Sequence, residues 1–154
     1  MTDEYYMKIA LEEAEKAAAE GEVPIGAVVV RRGEIIAKAY NKREAAKDAT
    51  GHAELLAIRE ACRNAGGWRL TDTTLYVTIE PCPMCAGAIL QSRIDRVVIG
   101  AMDPKAGACG SVINLLQHER FNHRAEIVTG VMQEECAGIM KTFFTALRKK
   151  GLAK

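Results

Sequence analysis

Strand-like and helix-like segments alternate along most of this chain, after an opening helix and a hairpin. The helical segments repeat apolar residues every three or four positions, whereas the strand segments are short β-branched runs bounded by glycine or proline. Helices that connect successive strands make those strands parallel and cover both faces of their sheet. The pattern therefore predicts an α/β fold, a three-layer α/β/α sandwich around a mixed five-stranded sheet.

The hairpin supplies the antiparallel part of that sheet, because strands at 25–30 and 35–40 flank the turn Arg32-Gly33. The sequence shows no repeat, linker or low-complexity tract, so residues 1–154 are expected to form one domain. The other predicted elements are helices at about 3–20, 52–65, 83–92, 112–117 and 132–150, and strands at 74–79, 96–100 and 126–130.

Composition excludes several classes of protein. With 49% hydrophobic and 27% charged residues, the chain is neither disordered nor collagen-like. It contains no run of roughly 18 apolar residues such as a membrane span requires, and its acidic start does not resemble a secretory signal. Five cysteines, an odd number, are typical of a reducing compartment. We therefore expect a cytoplasmic protein with no membrane association.

Two short motifs, His52-Ala53-Glu54 and Pro81-Cys82-Pro83-Met84-Cys85, point to a metal site. Cys82 is predicted to cap a helix and Cys85 to be its third residue, so the helix dipole favours both thiolates. One histidine and two cysteines suit Zn²⁺, and three protein ligands leave a fourth position for water, as in catalytic sites. Glu54 would then act as a general acid and base on that water.

Each motif alone has other interpretations. The C-x-x-C pair could be a redox dithiol, and the H-x-E segment could be a helix start, capped at Gly51, with a solvated carboxylate. A closed structural zinc site is a third interpretation, in which Cys109, His118 or His123 would be the fourth ligand. The two motifs together, at a helix start and at a strand-to-helix turn, favour the catalytic zinc site.

Longer motifs over essentially the whole chain extend this interpretation. They are Pro24-Ile25-Gly26-Ala27-Val28, Asn41-Lys42-Arg43, Cys82 to Ala88, Asp103-Pro104-Lys105-Ala106-Gly107 and Phe143-Phe144 near the C-terminus. In these motifs the chain resembles bacterial tRNA-specific adenosine deaminases. The resemblance implies a cytidine-deaminase-like fold, a homodimer and one Zn²⁺ per chain. It also implies hydrolytic conversion of the wobble adenosine of a tRNA anticodon, typically of an arginine tRNA, to inosine, in which zinc-activated hydroxide attacks C6 while Glu54 shuttles the proton.

The same resemblance implies substrate contacts outside the metal site. Asn41 would hydrogen-bond the flipped nucleoside and Ile25 would wall its pocket. Residues expected to meet the anticodon loop are Asp103, Lys105, Phe144 and Arg148. Simpler interpretations remain: Asn41 as a turn residue, Asp103-Pro104 as a loop start and Ile25 as sheet core.

The last predicted helix supports an RNA surface independently. Its apolar stripe is expected to be core, and Phe144, Arg148 and Lys141 fall at the edge of that stripe. An aromatic ring beside cations is a common way to hold single-stranded RNA, and the simpler interpretation is a solvated helix face with one half-buried phenylalanine. Thr145 stands where the family commonly has arginine, which removes one potential phosphate contact. The stripe consists of Met132, Cys136, Ile139, Met140, Phe143 and Leu147.

The net charge of +1 is a cancellation between the two ends of the chain. Residues 1–20 hold six acidic and two basic residues, whereas residues 141–154 hold five basic residues and no acidic one. Such polarity suits a local basic face for one RNA loop. The rival interpretations are a deaminase of a free base or nucleoside, and a non-enzymatic zinc or thiol protein.

Overall fold

A computed structural model describes residues 1–151, and its helices and strands follow the predicted order except for one added helix, α2, and the absence of a helix at 112–117. The helices are α1 (Asp3–Ala19), α2 (Arg43–Ala46), α3 (Ala53–Ala65), α4 (Pro83–Ser92) and α5 (Gln133–Lys149). The strands are β1 (Gly26–Arg31), β2 (Glu34–Tyr40), β3 (Thr73–Ile79), β4 (Arg96–Ala101) and β5 (Glu126–Thr129).

The strands form one mixed sheet in the order β2-β1-β3-β4-β5. β1 pairs antiparallel with β2 and with β3, whereas β3, β4 and β5 are parallel neighbours. The parallel part arises because α4 crosses from β3 to β4, and a long loop crosses from β4 to β5. The predicted fold class, a three-layer sandwich around a mixed five-stranded sheet, is confirmed.

Two apolar clusters cover the two faces of the sheet. Alternate residues of one strand point to opposite faces, so Val29 joins one cluster and Val28 the other. The first cluster packs α3 and α4 against the sheet, and the second packs α1 and α5 against it. The starts of α3 and α4 consequently lie on the same face, which is the arrangement that the metal site needs.

The longest loop, between β4 and β5, corrects one prediction. Residues 112–117 were expected to be helical, but they form turns and an isolated bridge between Cys109 and Asn114. The amides of this loop instead bind the buried carboxylate of Glu80, and Leu115 donates its amide to the Ala108 carbonyl, at 2.9 Å. A run of apolar residues predicted a helix, but the tertiary hydrogen bonds determine the loop.

Two further details differ from the sequence analysis. The short helix α2 was not predicted; the buried Glu22 carboxylate accepts hydrogen bonds from the amides of Glu44 and Ala45 at its start. In α5, Cys136 is buried, but the rest of the stripe expected to be core is half-buried. Within residues 1–151, no helix has the length and apolarity required to cross a membrane.

Candidate active site

The starts of two helices bring the predicted metal ligands together. His52 is the N-cap of α3 and Cys82 is the N-cap of α4, while Cys85 is the third residue of α4. The His52 Nδ1 atom lies 3.6 Å from Cys82 Sγ and 3.5 Å from Cys85 Sγ. Gly51, predicted as a possible cap, is instead the residue before the N-cap.

The two thiols have opposite acidities because they share a hydrogen bond. A hydrogen bond from the Cys85 thiol lowers the pKa of Cys82, and this effect is larger than the opposing effect of burial. The backbone amides of Cys85 and Met84, together with His52, lower the pKa further. The same hydrogen bond, together with burial, raises the pKa of Cys85. The pair therefore presents one readily formed thiolate, which is the form of cysteine that binds a metal.

These donors fit a zinc ion. The ligand atoms of His52, Cys82 and Cys85 all lie within 4.8 Å of one another, and they are two sulfurs and an imidazole nitrogen. Within residues 1–151, Cys109, His118 and His123, the other candidates for a closed structural site, do not belong to this group of donors. His123 Nε2 is 2.7 Å from the Ile94 carbonyl oxygen, and His118 accepts the amide of Arg120.

Glu54 follows His52 on the first turn of α3, and its side chain is aimed into the same site. It is 3% exposed, and its Oε1 atom has no hydrogen-bond partner among residues 1–151. Burial raises the pKa of Glu54 to about 7. A buried carboxylate oxygen without a protein partner is costly, and it marks Glu54 as a group suited to bind and move a proton beside the metal donors.

One cavity, with a volume of about 770 Å³, joins this site to the predicted substrate residues. Cys85 is fully buried behind the cavity wall. Every other residue that the sequence analysis placed in the site lines the cavity: Ile25, Asn41, His52, Glu54, Cys82, Asp103, Lys105, Phe144 and Arg148. The cavity thus has the metal donors in its wall and residues from three other segments around them.

Asn41 and Ile25 are fixed by backbone contacts next to the metal donors. The Asn41 Oδ1 atom accepts the amide hydrogen of Ala53 at 2.8 Å, which satisfies the first turn of α3. The Asn41 amide in turn donates to the Ile25 carbonyl at 3.1 Å. Asn41 therefore both ends the β2 segment, as its simpler interpretation required, and lines the cavity.

The loop after β4 carries Asp103 and Lys105, and it is organised by Glu80, which the sequence analysis missed. The buried Glu80 carboxylate accepts the amides of Asp103, Cys109 and Ser111. Burial opposes its charge, but the Ser111 hydroxyl and these amides outweigh that effect and lower the pKa of Glu80. The sequence signal that could have identified Glu80 is its position as an acidic residue directly after a buried strand.

The C-terminal helix forms the aromatic and basic side of the cavity. Phe144 is half-buried, and Lys141 and Arg148 are exposed beside it. The Arg148 guanidinium lies 3.4 Å from the Thr145 hydroxyl oxygen, so Thr145 contacts the positively charged side chain of Arg148. Arg43, from α2, is a further cation in the lining that the sequence analysis quoted only as part of a motif.

Known proteins that are similar to this chain are deaminases. The model of the MafB19-like deaminase family matches residues 1–148. A tRNA-specific adenosine deaminase of Bacillus subtilis (strain 168) is 60% identical over 148 residues, covering 96% of this chain and 92% of that protein. The Haemophilus influenzae protein of the same name is 47% identical over 149 residues, covering 96% of this chain and 86% of its own length.

A solved structure shows the same fold. It comes from work on A-to-I editing by tRNA:A34 deaminases at the wobble position of transfer RNA. It superimposes with a TM-score of 0.84 at 43% identity, covering 88% of this chain and 98% of that one. The sequence, the fold and the arrangement of the donors agree, and the chain therefore belongs to the family of tRNA-specific adenosine deaminases, which are zinc-dependent hydrolases.

Proposed function

We propose that this protein converts the wobble adenosine of a tRNA anticodon loop, typically that of an arginine tRNA, to inosine. The observation that carries the proposal is that one cavity is lined by the metal donors His52 and Cys82, by Glu54 and by an aromatic and basic side. The relatives named for adenosine deamination of tRNA support the substrate class. Adenosine and water would give inosine and ammonia.

The proposed cofactor is one Zn²⁺ held by His52, Cys82 and Cys85. Bound there, zinc would supply Lewis acidity that makes water acidic enough to act as a nucleophile near neutral pH. The Nδ1 atom of His52 would be the ligand nitrogen, because it lies 3.6 and 3.5 Å from the two sulfurs. The α4 dipole stabilises negative charge on Cys82 and Cys85, since both lie in its first turn.

Glu54 is proposed to move the protons of the reaction. Its unpartnered Oε1 atom can accept a proton from the attacking water and deliver it to the departing amine nitrogen. Burial keeps this carboxylate from being solvated, so its oxygen stays available to the reactants.

Asn41 and Ile25 are proposed to hold the nucleoside beside Glu54. Because the Asn41 carboxamide oxygen is already bound by the Ala53 amide, the Asn41 side chain would offer its NH₂ group to the nucleoside. Ile25 would supply an apolar wall. An adenosine in an anticodon loop reaches such a pocket only after leaving its stack, which costs less in a loop than in a duplex.

The RNA loop is proposed to lie across Phe144 and the surrounding cations. Phe144 would stack with a base, while Lys105 and Arg148 would contact phosphates. Asp103 would lie next to the loop, although one of its carboxylate oxygens already accepts the amides of Lys105 and Ala106. A deaminase of a free base would have no use for this side of the cavity.

The direct test is to incubate the protein with an arginine tRNA anticodon stem-loop and measure conversion of adenosine to inosine. We expect conversion that stops with a zinc chelator and returns when zinc is added. A stem-loop with guanosine at the wobble position is the matched control. Deamination of free guanine, cytosine or their nucleosides, without conversion of the stem-loop, would overturn the proposal in favour of the small-molecule enzyme.

We also propose that this single domain acts as a homodimer in the cytoplasm, where a tRNA substrate is found. Two pockets lie next to each other beside α4 and share Gln91. Their linings include the exposed rings of Trp68 and Phe121. An apolar surface of this kind supports an interface with a second copy. Sedimentation equilibrium should give twice the chain mass; a monomer at micromolar concentration would contradict the dimer.

A further inference from the structure

Within the proposed function, we infer that Glu80 is a positioning residue: it fixes the loop 103–111 so that Lys105 binds RNA, and thereby sets substrate affinity. Glu80 follows the last residue of β3 and precedes the turn that carries Cys82. It is 4% exposed, although it carries a charge. A buried carboxylate persists only where donors compensate for lost hydration.

All of the donors that bind Glu80 come from the loop after β4. The Asp103 amide donates to Oε1 at 2.8 Å, and the amides of Cys109 and Ser111 donate to Oε2 at 3.0 Å each. The Ser111 hydroxyl also donates to Oε1. One side chain thus binds both ends of a nine-residue segment, whose sequence is DPKAGACGS.

Gly107 shows independently that this loop is shaped around the carboxylate. A Cβ atom added at Gly107 would lie 2.1 Å from the Glu80 carboxyl carbon and 2.2 Å from Oε1. The backbone of Gly107 is not in the left-handed region, so the close approach, and not a turn, requires glycine there. The loop rests directly on the Glu80 side chain.

A second carboxylate extends this arrangement to Lys105. The Asp103 Oδ1 atom accepts the amide of Lys105 at 3.0 Å and that of Ala106 at 3.2 Å. Glu80 therefore holds Asp103, and Asp103 holds the turn on which Lys105 projects. Among residues 1–151, no hydrogen bond joins Glu80 to His52 or Glu54, so its influence should fall on binding and not on the chemical step.

The test is Glu80→Gln, with steady-state kinetics on the anticodon stem-loop. A glutamine can still accept hydrogen bonds from the Cys109 and Ser111 amides and donate one to the Ser111 hydroxyl. Its NH₂ group then faces the N–H of Asp103, which loses its acceptor. We expect KM to rise about tenfold, as when one buried donor loses its acceptor. We expect kcat to stay within about twofold and the zinc content to be unchanged.

Two readouts separate positioning of Lys105 from general loss of structure. The slope of log affinity against log salt should fall by about 0.7, the value for one phosphate contact to a single strand. In a Lys105→Ala background, Glu80→Gln should raise KM little further, because both changes remove the same contact. Fully additive effects on KM would overturn the inference.

Gly107→Ala is a second variant, which leaves the Glu80 charge intact. It tests the positioning role of Glu80 even if the Glu80→Gln variant does not fold. It should reproduce the increase in KM, whereas Gly67→Ala, where an added Cβ meets nothing within 4 Å, should not. A fall in kcat at unchanged KM in either site variant contradicts a positioning role. If the unmodified protein does not convert the stem-loop, the proposed function fails instead.

Discussion

At the scale of single residues, the site depends on two buried carboxylates with opposite surroundings. Glu54 has an oxygen without a hydrogen-bond partner in the described chain, whereas each Glu80 oxygen accepts hydrogen bonds from two donor groups. A satisfied carboxylate is held in place and organises its neighbours, while an unsatisfied one is available to a reactant. The difference in partners thus separates the proposed chemical group from the proposed positioning group.

Replacement of Glu54 by glutamine should abolish turnover without loss of the metal. The amide has nearly the shape of the carboxylate but cannot accept and return a proton, so kcat should fall about 10²- to 10⁴-fold. Zinc analysis should still give about one ion per chain, since Glu54 is not among the donors. Full activity in this variant would show that another group moves the proton.

The metal donors were predictable from the sequence because they belong to two short motifs of metal-binding residue types. Cys82 and Cys85 are three residues apart at a helix start, and His52 begins the preceding helix of the same face. The role of Glu80 was not predictable in this way, since its partners are mainly backbone amides, which nearly every residue carries, 23 to 31 residues further along the chain. Nothing near Glu80 in the sequence specifies which amides it meets.

At the scale of elements, close packing of α1 against β1 depends on Gly26. A Cβ atom there would lie 1.9 Å from the Ala10 carbonyl oxygen and 2.7 Å from the Ala14 amide nitrogen. The helix backbone therefore rests directly on the strand at this point. This contact also explains why β1 begins with glycine, a residue that strands otherwise disfavour.

Gly26→Ala should lower the free energy of unfolding by about 1–3 kcal/mol or more, because the methyl group displaces the helix. Gly138→Ala, within α5, is the matched control. A Cβ there meets nothing within 4 Å, and alanine favours a helix, so stability should rise by about 0.5–1 kcal/mol. Urea denaturation compares the two; equal effects would contradict the packing argument.

The helix α5 shows the limit of periodicity. The spacing of apolar residues identified which side of α5 faces the sheet, and Cys136 is indeed buried. Phe143 and Leu147 remain half-buried, because periodicity gives the direction of a side chain and not the extent of the surface that covers it. The wrong helix at 112–117 had another cause, because tertiary hydrogen bonds determine the structure of that loop.

Phe144→Ala should weaken binding of the anticodon stem-loop by about 1–3 kcal/mol, the cost of losing one base stacked on an aromatic ring. Phe144→Leu keeps apolar volume but removes the ring, so it should recover little of the loss. Fluorescence titration of a labelled stem-loop measures both. If the leucine variant binds as tightly as the unmodified protein, the contact is apolar burial and not stacking.

At the scale of the whole molecule, an ion-pair network joins the N-terminal helix to the sheet. Arg96 donates to both carboxylate oxygens of Asp3, at 2.9 and 2.7 Å, and the Tyr76 hydroxyl donates to Asp3 at 2.8 Å. The hydrogen bonds from Arg96 hold the pKa of Asp3 below its ordinary value of 3.8. Burial opposes this effect, whereas the hydrogen bond from Tyr76 adds to it.

Asp3→Asn should therefore lower the free energy of unfolding near neutral pH by about 1 kcal/mol, since the pair is partly exposed. A carboxyl group whose pKa is lower in the folded protein than in the unfolded chain stabilises the fold at pH values above its ordinary pKa. This stabilisation is lost as the pH falls through the pKa of the folded protein. The difference between Asp3→Asn and the unmodified protein should narrow below pH 3.8. Glu4→Gln, exposed in the same helical turn, is the control and should show a smaller effect.

The cavity is assembled from segments that lie far apart in the sequence and that the fold brings together. His52, Cys82 and Glu54 come from the starts of α3 and α4, whereas the aromatic and basic side comes from α5, the loop after β4 and α2. Under the proposed assignment, the residues that break the bond and the residues that contact the RNA loop are therefore encoded in separate segments. Changes to α5 and to the loop after β4 could then redirect such an enzyme to a new nucleic acid, while the residues that act on the amine stay as they are.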